Sequence, residues 1–324
     1  MRARFGRMVI LFRRLAPADM SIRAFFYDLI LRQTVKKQLS GQLDIASLRK
    51  QMDSGAAPKT PDTVTVIPVD ANGVTAEWVT ASGVEQNRVL LYLHGGGYVF
   101  GSPLSHRALA WRLTEAARMR VLMVDYRLAP EHPFPAAVED ATAAYRWLLD
   151  EGYDPGQIAV GGDSAGGGLA VALLVNLKNV GLPRPVCAIL LSPWTDLTCA
   201  GASVETNASA DAMLTPEVLR QFASLYVGAR DLAAPLASPL FADVAGLPTT
   251  LIQVGSTEVL LSDAERLASR LGDAGCQVML DVWPKMPHVW QLAPAQLPEG
   301  RQAIDRLATF LCAHTRALVA QPAS

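Results

Sequence analysis

The sequence predicts an α/β fold built on a mostly parallel, eight-stranded sheet flanked by helices. Two observations predict it. From residue 62 onward, short apolar runs rich in β-branched residues alternate with longer segments of helical period, the signature of a parallel sheet covered by its own crossover helices. At Ile158–Val175 an apolar run, a cluster of small residues around one serine and a second apolar run follow one another without a helix breaker, as in a strand–turn–helix unit. The chain has 324 residues, half of them hydrophobic, enough for one large core with insertions.

Residues 1 to about 57 read as helical and are expected to form an N-terminal cap segment. Ile22, Phe25, Phe26, Leu29 and Ile30 share one face at helical spacing, and that face is expected to pack over the main domain. A membrane-surface helix is the alternative, because Arg2, Arg4, Arg7, Arg13 and Arg14 precede it. A second helix is expected from Leu43 to Met52, after the Ser40-Gly41 break. Residues 58–195 and 237–318 are expected to form the catalytic domain. There, Thr63–Val69 and Val74–Thr80 alternate around the turn signal Asp70–Gly73 and read as a hairpin. Arg88–Leu93 is continuous in its apolar character, as a strand covered on both faces would be. Ser102-Pro103 has the cap-then-proline order of a helix start, and that helix is expected to run to about Met119. The strand Val121–Val124, a helix over 135–150 and the strand from Ile158 follow. Pro185–Leu191, Thr249–Val254 and Gln277–Val282 complete the eight strands. Helices are expected at 262–274, with Ser262 and Glu265 in capping-box spacing, and at 301–315. Residues 196–236 break the alternation and read as a second cap insertion, with a helix near 216–227.

The charge is balanced, 29 basic against 30 acidic residues, which argues against nucleic acid as a partner. Four cysteines show no C-x-x-C pairing, so neither a zinc site nor a disulfide framework is indicated. The N-terminal apolar run Met8–Phe12 is too short for a secretory segment, and no run approaches the ~20 residues of a membrane span. The expectation is a cytoplasmic protein without a membrane span.

Gly162-Asp-Ser-Ala-Gly166 matches G-x-S-x-G, the elbow that exposes a nucleophilic serine on a sharp strand-to-helix turn. Alone the match is weak, since roughly one chain in ten of this length would contain it by chance. The flanking apolar runs strengthen it, and the absence of a following lysine excludes a Walker phosphate loop. A serine hydroxyl needs a general base, and the base an orienting acid. In folds with this elbow the chain order is serine, acid, histidine. Two histidines follow Ser164. His314 lies in the last turn of the terminal helix, whereas His288 lies just past a strand, where such folds place their sites. Glu258, four residues beyond Val254, is the expected acid. Asp263, in the first turn of the next helix, and Asp196 are the alternatives. The oxyanion needs preorganised N–H donors. Ala165, after the nucleophile, and Gly96 and Gly97 of the run His94-Gly-Gly-Gly97 are expected to supply them. Gly95 shapes the turn, and His94 precedes the serine, so a loop-fixing hydrogen bond is its expected role.

These motifs, together with Asp125-Tyr-Arg-Leu-Ala-Pro-Glu-His-Pro-Phe-Pro-Ala-Ala137, resemble the bacterial hormone-sensitive-lipase-like esterases, or family IV, of the α/β-hydrolase superfamily. The resemblance spans roughly residues 60–315. It implies an α/β-hydrolase fold, carboxylic ester hydrolysis, an N-terminal helical cap and, commonly, a homodimer. The family usually carries aspartate where Glu258 stands, glutamate being a minority variant. Within the Tyr126–Glu131 run, Arg127 and Glu131 are expected to pair.

The expected chemistry is hydrolysis of a small-molecule ester of short to medium acyl chain through a Ser164–His288–Glu258 triad, with neither cofactor nor metal. Tyr98, Phe100, Trp194, Met213, Leu214, Val289 and Trp290 are candidate lining of an apolar pocket. The alternatives are a deacetylase, lactonase or amidase using the same triad, and a non-catalytic binder of small ligands.

Overall fold

The computed structural model describes residues 10–14, 20–41, 43–54 and 60–315. In chain order the elements are β1 (Ile10–Arg14), α1 (Ile22–Leu31), a π-helical turn at Arg32–Lys36, α2 (Lys37–Leu39) and α3 (Ile45–Ser54). Then come β2 (Val64–Asp70), β3 (Thr75–Ala81), β4 (Glu85–Leu93), α4 (Pro103–Ala117), β5 (Met119–Val124), α5 (Ala136–Asp150) and β6 (Ile158–Asp163). The rest comprises α6 (Ser164–Asn179), β7 (Cys187–Leu191), α7 (Ala202–Thr206), α8 (Pro216–Val227), β8 (Thr249–Gly255), α9 (Leu261–Asp273), β9 (Val278–Trp283) and α10 (Pro298–Thr315).

The eight expected strands are present as β2–β9, and a ninth, β1, joins them. Sheet order is β1-β9-β8-β7-β6-β4-β5-β3-β2. Among the described strands only β2–β3 and β3–β5 pair antiparallel. The hairpin turn places Asn72 and Gly73 at φ 57° and 84°, the left-handed region that asparagine and glycine tolerate. Helices α4 and α10 bury Leu109, Leu113, Leu307 and Leu311 on one face of the sheet. Helices α5, α6 and α9 cover the other with Tyr145, Leu169, Leu173 and Leu267. Strand β6 is buried throughout, in keeping with its apolar start Ile158–Val160.

Four expectations change. The helical reading of residues 1–57 fails at Ile10–Arg14, which pairs in parallel with β9 as an edge strand. Three apolar residues followed by two arginines cannot declare a partner 268 residues away. For residues 1–9, 15–19, 42 and 55–57 that reading falls outside the described residues, as do residues 58–59 and 316–318 of the expected catalytic domain. Second, the apolar face of α1 is turned to solvent: Ile22 is 77% exposed and Phe25 and Phe26 are 55% and 56% exposed. The face that packs inward holds Ala24 and Tyr27, against Trp283, Met286 and Trp290. Third, Arg127 pairs with Asp140 (2.7 Å) and Glu139, while Glu131 pairs with Arg49 of α3 (2.8 Å). Fourth, α9 begins without a side-chain cap, and the Ser262 hydroxyl instead accepts from the Ser203 N–H at 2.9 Å. At α4 the expected start is present, with a reciprocal Ser102–Ser105 capping box and proline in the first turn.

Candidate active site

Ser164 opens α6 at the end of the central strand β6, with φ 52°. A non-glycine residue in this region is strained, and the surroundings hold it there. A Cβ on Gly166 would lie 2.1 Å from the Leu93 carbonyl oxygen, and one on Gly162 would lie 2.3 Å from the Gly166 carbonyl oxygen. Backbone thus presses on backbone at both flanking positions, and only glycine fits. The turn aims the serine hydroxyl into a cavity while the first amides of α6 and their dipole point to the same place.

The His288 ring bridges the serine and the acid. Its Nε2 is 2.9 Å from Ser164 Oγ, and its Nδ1 is 2.7 Å from Glu258 Oε2. An ionised carboxylate only accepts, so Nδ1 carries the proton toward Glu258 and, in the neutral ring, Nε2 accepts from the serine hydroxyl. The other Glu258 oxygen accepts from the Gly255 N–H (2.5 Å) and the Ser192 hydroxyl (2.8 Å). Glu258 and His288 are both buried. Burial alone would lower the His288 pKa, but the hydrogen bond and charge of Glu258, with Asp211 and Asp163 beyond, outweigh it and hold the group above its ordinary value.

The alternatives are engaged elsewhere. Asp263 accepts from the backbone amides of Thr195 (2.7 Å) and Asp196 (2.9 Å), and burial pushes its pKa up to about 7. Asp196 pairs with Arg266 at 2.6 Å. His314 bonds to the Phe310 carbonyl within α10.

The glycine loop follows β4, beside the elbow. Gly96 and Gly97 have φ of 120° and 60°. A Cβ on Gly96 would lie 2.0 Å from the Phe100 carbonyl oxygen, and one on Gly97 would lie 2.5 Å from the Phe222 ring. The Gly95 N–H donates to Asp163 Oδ1 at 3.1 Å, so this amide is committed to the turn. Asp163 also accepts from the Tyr92 hydroxyl (2.9 Å) and meets His106 Nε2 (3.2 Å). His94 has the expected loop-fixing geometry: Nδ1 lies 2.8 Å from the Gly95 carbonyl and the ring stacks on Tyr126. Burial drives its pKa down to about 3, so the ring is neutral.

A cavity of about 300 Å³ opens over Ser164, a volume that suits a small ligand. Phe100, Met213, Leu214 and Val289 line it as expected. Tyr98, Trp194 and Trp290 do not. Tyr98 stacks on Tyr226 at 3.7 Å, Trp194 is core beneath the elbow, and Trp290 packs on Trp283. Proximity in sequence to a motif loop did not distinguish side chains pointing into the cavity from those pointing into the core. Sequence reasoning also missed the opposite wall: Val35, Leu39, Leu48 and Met52 of the N-terminal segment, with Leu219 and Phe222 of α8. The i, i+4 spacing of Val35/Leu39 and Leu48/Met52 was the available signal. Ser192, His106 and Asp211 carry no local signal at all. Asp211 accepts from the Leu214 and Val259 amides, tying the insertion to the loop that carries Glu258. Among the described residues no group of three or more His, Cys, Asp or Glu is placed to hold a metal ion.

Residues 90–292 match the family described as alpha/beta hydrolase fold. The crystal structure of an esterase from the bacterial hormone-sensitive lipase family superposes with a TM-score of 0.88 at 46% identity, covering 92% of this chain and 100% of that one. This chain belongs to the bacterial hormone-sensitive-lipase family. Among relatives, an acetyl-hydrolase of Streptomyces hygroscopicus is 50% identical over 237 residues, 73% of this chain and 79% of that protein. An esterase of Acinetobacter venetianus is 36% identical over 88% of this chain and 95% of that protein. The family resemblance read from the motifs is therefore correct, and it extends in structure over the N-terminal helices that the sequence motifs do not reach.

Proposed function

We propose that this carboxylic ester hydrolase works through a Ser164–His288–Glu258 triad and an acyl-enzyme intermediate, on esters of short to medium acyl chain. The observation that carries the reading is the single imidazole within hydrogen-bond distance of both the strained serine and a buried carboxylate. Ser164 Oγ attacks the ester carbonyl as His288 Nε2 takes its proton. The oxyanion lies against the amides of Gly96, Gly97 and Ala165. His288 returns the proton to the leaving alcohol as the carbon–oxygen bond breaks. Water then attacks the acyl-enzyme, His288 taking its proton and passing it to Ser164 as the acid leaves. Glu258 keeps the imidazole in the required tautomer and stabilises the imidazolium.

Cavity size and apolar lining support small acyl groups, and the relative named acetyl-hydrolase favours deacetylation as a second reading. The described helices within residues 20–54 act together with residues 196–236 as the cap. Arg32 and Lys36 donate to the carbonyls of Ser209 and Ala208 (both 2.8 Å), joining the two segments over the site. Pairing of two copies is proposed from the family resemblance, and a cytoplasmic location is proposed with it. Light scattering on the purified protein reads the first. Among the described residues, no helix is long and apolar enough to cross a membrane.

A panel of p-nitrophenyl esters from acetyl to palmitoyl tests the substrate reading. The highest kcat/KM is expected at acetyl to octanoyl. A maximum at palmitoyl, or hydrolysis of amides in preference to esters, would contradict it.

A further inference from the structure

Among the described residues the outward face of α1 is apolar and exposed. Phe25, Phe26, Leu29 and Ile30 are each 45–56% exposed, and Ile22 is 77% exposed. They recur at i, i+3, i+4, i+7 and i+8, so they form one stripe on one helix. Isolated exposed apolar side chains are ordinary, but a contiguous stripe marks a surface that meets something apolar.

Charge indicates what it meets. Residues 1–41 carry nine lysines and arginines against two aspartates, a net +7. The remaining 283 residues carry 20 and 28, a net −8. The positive charge of a nearly neutral chain is therefore gathered into the segment that bears the stripe, and Arg23 and Lys37 are exposed on that same stretch. An apolar helical face within a strongly basic segment is complementary to an anionic lipid surface. A second copy of this chain would bring a second +7 segment against the first.

The stripe also has a fixed relation to the site. From α1 the chain stays helical to Leu39, and Val35, Gln38 and Leu39 line the cavity. Ile30 and Gln38 are eight residues apart, about 12 Å along a helix. We propose that α1 docks the protein on an anionic lipid surface, its apolar stripe seated among the acyl chains, and so holds the cavity beside ester substrates dissolved in that surface. The stripe leaves the reacting groups untouched, so docking and hydrolysis are separable.

Cosedimentation with phosphatidylglycerol and with phosphatidylcholine vesicles tests this. The wild-type protein and Ser164→Ala are both expected to bind the anionic vesicles at least about tenfold more than the zwitterionic ones, less so in high salt. Phe25→Ser/Phe26→Ser is expected to lose about tenfold of that binding while keeping its melting temperature and its kcat/KM on p-nitrophenyl butyrate in vesicle-free buffer. Arg23→Glu/Lys37→Glu is expected to weaken binding to anionic vesicles alone. No vesicle binding by the wild type, or undiminished binding by Phe25→Ser/Phe26→Ser, would overturn the proposal. So would a wild-type dimer that this variant splits, since the stripe would then face a second copy.

Discussion

The cavity has two walls of different construction. The wall that carries the reacting groups comes from loops at the ends of β4, β6, β8 and β9, and buried hydrogen bonds fix each of them. Asp163 holds the Gly95 amide, the Gly255 amide and Ser192 hold Glu258, and Glu258 holds His288. The facing wall comes from the N-terminal helices and α8, and its side chains there are mostly apolar, chiefly Leu39, Leu48, Met52 and Phe222, with Gln38 and Gln51 among them. It is fastened from its outer side. Arg49 donates to the carbonyls of Val99 and Ala129 and pairs with the half-exposed Glu131, while Arg32 and Lys36 reach the insertion. A buried, fully partnered polar network has one low-energy arrangement, whereas an apolar wall accepts several shapes of similar energy. On the proposed mechanism the first wall governs the chemical step and the second governs which acyl group fits.

That contrast can be broken by substitution. The largest effect is expected for Ser164→Ala, a fall in kcat/KM on p-nitrophenyl butyrate on the order of 10⁴-fold or more. Retained activity would remove the serine from the mechanism. Glu258→Gln is expected to lower kcat roughly 10³-fold by releasing the imidazole tautomer, while Asp263→Asn stays within about tenfold of wild type. The reverse ranking would move the acid to Asp263. Gly97→Ala adds a Cβ against Phe222 at a left-handed φ and displaces the proposed oxyanion amide, so kcat is expected to fall about 10²-fold. On the apolar wall, Leu39→Ala and Met52→Ala are expected to raise KM for the butyrate ester by up to about tenfold with kcat little changed. A loss confined to kcat in those variants would erase the distinction between the walls.

The pH profile is the finest test. His288 must be neutral to accept the serine proton, and its pKa lies above the ordinary value because Glu258 outweighs burial. Activity is therefore expected to be lost as pH falls through a midpoint above about 6.5 in kcat/KM. A midpoint at or below that value would mean the Glu258 contact is weaker in solution than its 2.7 Å geometry implies.

The first wall was legible in the sequence and the second was not, for physical reasons. A strained serine between glycines, a triple glycine and a histidine beyond a strand each require particular residue types at particular positions, so Ser164, His288 and Gly95–Gly97 announce themselves, while Glu258 is the expected acid with Asp263 and Asp196 as alternatives. An apolar wall requires only volume. Leu39 and Met52 look like any core residues of an amphipathic helix, and Tyr98 and Trp194, beside the motifs, prove to be core. Partners far apart in the chain were equally silent. Nothing local to Ile10–Arg14 names β9, and nothing local to Arg49 names Glu131. The inverted orientation of α1 has the same origin. Helical periodicity fixes which residues share a face, while the small inward residue Ala24, which lets the helix approach Trp283 and Trp290, decides which face turns in.

The most direct test of the triad is to trap its covalent intermediate. Rapid mixing with p-nitrophenyl butyrate, acid quenching and peptide mass spectrometry are expected to find one butyryl group on the peptide carrying Ser164, accompanied by a burst of p-nitrophenol. The adduct should persist longer in Glu258→Gln and be missing in Ser164→Ala. A butyryl group on another residue, or a burst that survives in Ser164→Ala, would contradict the account.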